Sequence, residues 1–185
     1  MRTAPLLIGL MLATATSCAL ATNDGGQGTP DDVPLPGQRW ALRDGTVTAA
    51  EYRTAVDRFI SCVKEAGYTV GDPVRSPVDG VTLLYHITPT GDPAAYNEAI
   101  QRCNLAHLSL IEPAFVEAQR HVMDQELLPV VGDCLRGRDV SLTGKERNVA
   151  DFAASADDEP MAVECVTEAR IKVFPELPDE VPIRF

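Results

Sequence analysis

Apolar positions recur at helical spacing from Tyr52 onward: Tyr52, Ala55, Val56, Phe59, Val63 and Ala66 fall on one stripe. Thr48 and Glu51 precede that stripe at the spacing of a capping box, in which each side chain takes a backbone N–H that the first helical turn leaves without a partner. Gly67 supplies the stop. The pattern predicts one amphipathic helix within 44–67, with Cys62 on its last full turn. Trp40, Ala41 and Leu42 are expected to fold back on it as a staple or a short strand.

After Gly67 the period changes. Tyr68, Thr69, Val70 and Val74 are extended in character, Asp79-Gly80 signals a turn, and Val81 to Thr88 alternates as a strand does. Val81, Leu83, Tyr85 and Ile87 are expected to face the helix, with Thr82, His86 and Thr88 on the other side. Pro73 and Pro77 confine the first arm to an edge.

Asp92-Pro93 reads as the cap and first residue of a second helix, with Tyr96, Ala99, Ile100 and Cys103 on its apolar face. A third helical stretch is expected from Ser109 or Glu112-Pro113, with Phe115, Val116, Ala118, Val122 and Met123 as its stripe. Pro129 kinks that stretch or divides it, and Val130, Val131, Cys134 and Leu135 lead on to Gly137. A short helix is expected from Thr143 or Lys145 to Ala154, then a loop, then a last helix from Pro160 to Ile171 carrying Cys165. Three prolines make the tail, 174–185, extended. The expected fold is α+β, mainly helical, with disulfide-stapled helices and one short β-hairpin over residues 39–173.

The N-terminus changes the setting. Arg2 is the only charge in the first 21 residues, and the apolar run Leu6 to Ala13 is too short to span a bilayer, as in an export signal. Ala15-Thr16-Ser17-Cys18 resembles a lipobox, which makes 1–17 a lipoprotein signal peptide and Cys18 the lipid-modified first residue. Ala19-Leu20-Ala21 is the competing site for ordinary signal peptidase, and cleavage there releases a freely secreted chain. Residues 18–38, Gly- and Pro-rich and without periodicity, read as a lipid-anchored flexible tether. The expected place is the outer face of the cytoplasmic membrane.

Either route leaves Cys62, Cys103, Cys134 and Cys165, an even number in an exported chain. Three pairings are possible. Cys62 with Cys103 and Cys134 with Cys165 is the expected set, because each half of the chain then becomes a helix, a connector and a returning helix. Each bridge closes a loop of roughly thirty to forty residues and stabilises by about 3–4 kcal/mol. A four-thiolate zinc site is the competing reading, but the close cysteine pairs that bring such ligands together do not occur.

A formal net charge of -11 excludes nucleic acid or an anionic membrane surface as the main ligand, since both reward a basic patch. No nucleophile elbow, P-loop, zinc-protease helix or dinucleotide fingerprint occurs. Asp44, Gly45 and Glu51 resemble the second half of a calcium loop, but Trp40 and Leu42 stand where two carboxylates belong. On the expected third helix, Glu117, His121 and Asp124 fall at i, i+4 and i+7, the candidate metal ligands; the competing reading is a solvated face with one charge pair. His107 is expected half-buried and His86 on the strand surface. No cofactor is implied.

Asp44 to Tyr52, Cys62 five residues before Gly67-Tyr68, and Cys103 ahead of Ile111-Glu112-x-Ala114-Phe115 resemble an uncharacterised group of small secreted lipoproteins from high-GC Gram-positive bacteria. The likeness covers roughly the middle third of the chain. It implies an envelope location and a disulfide between the first two of these cysteines, and it brings no activity. The expected function is a non-enzymatic binding module of the cell envelope, with a protein or cell-wall partner engaged through the ribbon of 68–88 or the Pro-rich tail. An envelope hydrolase or metal-dependent enzyme, with a site assembled from distant residues, and a structural or stress-protective protein are the alternatives.

Overall fold

A computed structural model describes residues 35–178 and 181–184. The expected signal peptide, Cys18 and nearly all of the tether lie outside them. Among the described residues no helix is long and apolar enough to cross a membrane. The described residues form seven helices and four short strands in the order α1 (Arg39–Leu42), α2 (Ala49–Glu65), β1 (Thr69–Val70), β2 (Val74–Arg75), β3 (Leu83–Leu84), β4 (Ile87–Thr88), α3 (Pro93–His107), α4 (Ile111–Val116), α5 (Leu127–Arg136), α6 (Val149–Ala156) and α7 (Glu159–Val173). The fold is α+β and mainly helical, as the hydrophobic pattern predicts.

Helix α2 begins and ends where its local chemistry dictates. Thr48 and Glu51 form the capping box, with the Glu51 carboxylate accepting the Thr48 N–H at 2.9 Å. At the other end Tyr68 N–H reaches Val63 C=O and Gly67 N–H reaches Lys64 C=O, with Gly67 at φ +93°. Those two bonds satisfy carbonyls that an abrupt end would orphan. Tyr52, Ala55, Val56, Phe59, Ile60 and Val63 are buried, whereas Ala66, expected on the stripe, is exposed. Ahead of α2, Trp40 belongs to the one-turn α1 and not to a strand, and the Arg58 guanidinium lies 4.3 Å over its ring.

Two hydrophobic clusters divide the interior. The first gathers α2, the hairpin, α3 and α4 around Tyr52, Phe59, Ile111 and Val116; the second gathers α5, α6 and α7 around Leu127, Val131, Phe152 and Val166. Each holds one disulfide between helices: Cys62–Cys103 joins α2 to α3, and Cys134–Cys165 joins α5 to α7, both with Cα atoms 5.7 Å apart. The expected pairing is the one present. Two crossing pieces knit the clusters together. Val78, from the hairpin turn, is buried in the second, and Val181 and Ile183 of the tail pack against it too.

The hairpin is shorter and less regular than its alternation implies. Val70 pairs with Ile87 and Val74 with Leu84, so three residues, 71–73, oppose two, 85–86. That is a bulge, and it breaks the ribbon into two pairs. Thr82, expected on the outer face, is buried, because its N–H and hydroxyl both bind the Asp79 carboxylate, at 2.9 and 2.6 Å.

The third helical stretch differs most from expectation. Helix α4 stops at Val116, and 117–126 is not helical, so Ala118, Val122 and Met123 share no helix stripe. Val122 N–H donates to Asp79 C=O at 2.9 Å, Asp124 N–H to Pro77 C=O at 2.8 Å, and Met123 N–H to Arg147 C=O at 2.7 Å. Bonds to distant segments outcompete the local helical pattern here. Pro129 lies in the first turn of α5, where its missing N–H leaves no bond unmade. Likewise α6 starts at the Asn148 cap and not at Thr143 or Lys145: the Glu146 carboxylate, buried, accepts the Thr143 N–H and hydroxyl and the Ser155 hydroxyl, all at 2.8 Å.

The folded part also extends back to Gln38, which is fully buried. Its amide nitrogen donates to Leu105 C=O at 2.8 Å and to Ser109 Oγ at 2.9 Å, while its oxygen accepts Leu110 N–H at 2.8 Å and Ile111 N–H at 3.2 Å. One side chain thereby closes the end of α3 and the start of α4. Gly37 leaves room for it, since a Cβ there would meet Ala106 O at 2.2 Å. Gln38→Leu is expected to destabilise the chain by about 3 kcal/mol in urea unfolding with the disulfides intact, because buried backbone donors would lose their acceptor. A loss below about 0.5 kcal/mol, the range of ordinary surface substitutions, would refute that role.

Candidate functional site

The connector 117–126 runs between the hairpin turn and the start of α6, and recesses open along it. Its path is fixed at Gly80, whose φ is +70° and where a Cβ would approach Val122 O to 2.7 Å, so only glycine lets the connector come this close. The turn is braced by Asp79, whose carboxylate also takes the Val81 N–H at 2.8 Å.

An apolar recess of about 450 Å³ lies between the hairpin and the C-terminal tail. Val74, Leu84, Tyr85, Val122, Phe174 and Leu177 give it an apolar lining, and Arg75, His86, Asp72, Asp124 and Glu176 add charge or polarity of both signs. Val122 is 45% exposed and Val74 44%, so its mouth shows apolar surface to solvent. A second recess of about 220 Å³ shares Arg75 and Gly80 with the first and reaches Tyr52, Leu83 and Phe115. A polar recess of about 530 Å³ shares Gln119 with it and contains Arg120, His121 and Arg184.

A buried polar cluster borders these openings. Tyr52 donates its hydroxyl to Glu112 Oε2 at 2.9 Å and accepts the Leu83 N–H at 3.0 Å, while its ring stacks on Phe115 with centroids 4.7 Å apart. Arg184, from the tail, brings a guanidinium nitrogen to 3.6 Å from Glu112 Oε1. Burial pushes the Glu112 carboxyl above its ordinary value, against the pull of the Tyr52 hydrogen bond and the Arg184 charge. Burial, and then the Glu112 charge, push the Tyr52 and Tyr85 hydroxyls far above the usual phenol range. The cluster therefore keeps its phenols protonated as donors and ties the tail to α4.

The candidates expected from sequence do not converge. With no helix over 117–124, Glu117, His121 and Asp124 share no helix face: His121 Nε2 donates to Val116 C=O at 2.9 Å, and Asp124 accepts the Glu126 N–H at 2.8 Å. Among the described residues no group of three His, Cys, Asp or Glu side chains is placed to hold a metal ion. Of the calcium-loop residues, Glu51 is engaged in the capping box and Asp44 accepts the Thr46 N–H at 3.2 Å. His86 and His121 line different recesses, and His107 is half-buried beside the Cys62 end of a disulfide. The association of Tyr52, Glu112 and Arg184 went unseen in the sequence. Tyr52 and Glu112 are 60 positions apart, and the local pattern shows only a buried helix position and a helix start.

Comparison of the chain with known protein families, characterised proteins and solved structures gives no match.

Glu112 and Glu146 are expected to act oppositely on pH stability. The raised Glu112 carboxyl favours the native state below its unfolded value of about 4.3, and that contribution is lost as pH rises through the folded value. Burial opposes ionisation of Glu146, but hydrogen bonds from the Thr143 and Glu146 backbone and from the Ser155 and Thr143 hydroxyls outweigh it, and its carboxyl falls to about 2. Its contribution is present above about 4.3 and lost as pH falls towards about 2. In urea unfolding, Glu146→Gln should lose about 2 kcal/mol at neutral pH and nearly nothing near pH 2. Glu112→Gln should match or exceed the parent at neutral pH and lose that advantage in acid. The reverse ranking would contradict both assignments.

Proposed function

We propose that this chain is an exported binding module of the cell envelope, anchored through a lipid on Cys18 and acting without catalysis. It takes an extended polypeptide segment of an envelope partner in the recess between hairpin and tail. One observation carries this reading: the apolar lining of about 450 Å³ lies between the ribbon and the Pro-rich tail and is bordered by charges of both signs. Apolar side chains of a peptide fit that floor, and its backbone amides and polar side chains fit the mixed rim. The exposed arm of Val74 and Arg75, bounded by Pro73 and Pro77, offers an edge for a short backbone contact while resisting extended strand addition. Two disulfides accord with an oxidising compartment, and the resemblance to small secreted lipoproteins with the envelope.

A photo-reactive residue at Val74 or Leu177 in intact cells is expected to capture the same polypeptide, and Val122→Arg should abolish capture without unfolding the chain. Capture of only abundant bystanders at both positions, or capture unaffected by Val122→Arg, would remove the support for this binding site. The intact mass of the mature chain is expected to begin at an acylated Cys18; a mass beginning at Thr22 overturns the anchor and leaves the recess to be tested in solution.

A further inference from the structure

We propose that the polar recess on the connector is an oxyanion-binding site, taking a small molecule through a carboxylate or phosphate group. It is distinct from the apolar recess and does not rest on the peptide reading. In a chain of formal net charge -11, cationic side chains gather here: Arg120 and Arg184 line an opening of about 530 Å³ together with His121, Gln119, Asn148 and Ala150. Glu117 is the one carboxylate among the described residues of this lining.

Two features favour an oxyanion, the paired guanidinium groups and the start of α6. Arg120 is exposed and makes no ion pair with a described residue, so its guanidinium fork is available for the paired acceptors of a carboxylate or phosphate. Arg184 brings a second, partly exposed guanidinium to the lining, and one of its nitrogens lies 3.6 Å from Glu112. Finally, Ala150 in the lining belongs to the first turn of α6. The Asn148 cap accepts only the Asp151 N–H there, at 2.8 Å, which leaves the Val149 and Ala150 N–H groups outside the cap. The positive end of the helix dipole lies at the same place. The Asp151 carboxylate, which would compete with an anion, accepts the Arg147 N–H at 2.8 Å.

His121 adds orientation. Because a carbonyl can only accept, the bond from His121 Nε2 to Val116 C=O places a proton on Nε2 and leaves Nδ1 as the second polar atom of the ring. The opening is larger than a bare oxyanion, and the Gln119 amide offers both a donor and an acceptor to the rest of a polar ligand.

Amide and guanidinium NMR of the full mature chain, titrated at constant ionic strength with inorganic phosphate and separately with acetate, tests the site. Saturable shifts are expected at the Ala150 N–H and at Arg120 Nε with at least one of the two. Saturation by phosphate alone assigns a phosphate-bearing ligand, by acetate alone a carboxylate. Arg120→Gln, at an exposed position, should weaken binding about tenfold. Arg102→Gln, which removes an exposed partner of Glu98, should leave it unchanged. Shifts that never saturate with either anion, an Arg120→Gln chain that binds like the parent, or equal weakening by Arg102→Gln would each overturn the proposal.

Discussion

The hydrogen bond from Val122 N–H to Asp79 C=O, with its neighbours at Met123 and Asp124, is the seam on which this structure depends. It holds an extended connector between the hairpin turn and the entry to α6. Met123 and Val78 can then enter the second cluster from opposite sides of that seam. Asp79 makes the turn rigid by spending its carboxylate on Val81 and Thr82, and Gly80 leaves space for the connector to close in. Without these contacts, the two clusters would be joined only by the covalent connector and the tail.

Each cluster has the same construction. A disulfide fixes two helices at a Cα separation of 5.7 Å, and the apolar faces pack beside it. Such a bridge acts largely by restricting the unfolded chain, so each half gains most where its core alone is small. Local polar caps complete the frame: the Thr48–Glu51 box, Asp92 at α3, Asn148 at α6 and Asp158 at α7 each accept a first-turn N–H. Arg138, on the surface, adds ion pairs to Glu164 and Glu168 of α7, worth little individually in water.

Charge is distributed unevenly around the seam. Among the described residues most acidic side chains face solvent, whereas Asp79 and Glu146 are buried and Glu112 partly so, the two glutamates under opposite conditions. Glu146 has enough donors to stay ionised; Glu112 has a phenol and a tail arginine at 3.6 Å, too little to offset its burial. The tail is therefore more than an appendage. Phe174 and Leu177 wall the apolar recess, Val181 and Ile183 join the second cluster, and Arg184 meets α4 while lining the polar recess.

Sequence by itself determined several features whose cause lies within a few residues, though it missed the Asn148 cap of α6. Thr48 with Glu51 and Asp92 with Pro93 set helix starts, Gly67 set a helix stop, and an even set of four cysteines spaced along helical stretches led to the pairing found. Tertiary structure alone decided what depends on distant partners. Phe115 to Met123 has a helical apolar pattern, yet its backbone donors bond to Asp79, Pro77 and Arg147, and burial of Met123 beside Val78 favours the extended path. The face proposed for Glu117, His121 and Asp124 vanished with that helix, while Tyr52, Glu112 and Arg184 came together from three remote segments. Capping and stopping are short-range hydrogen-bond problems that spacing reveals; a recess is the shape left between packed elements, and no local pattern specifies it.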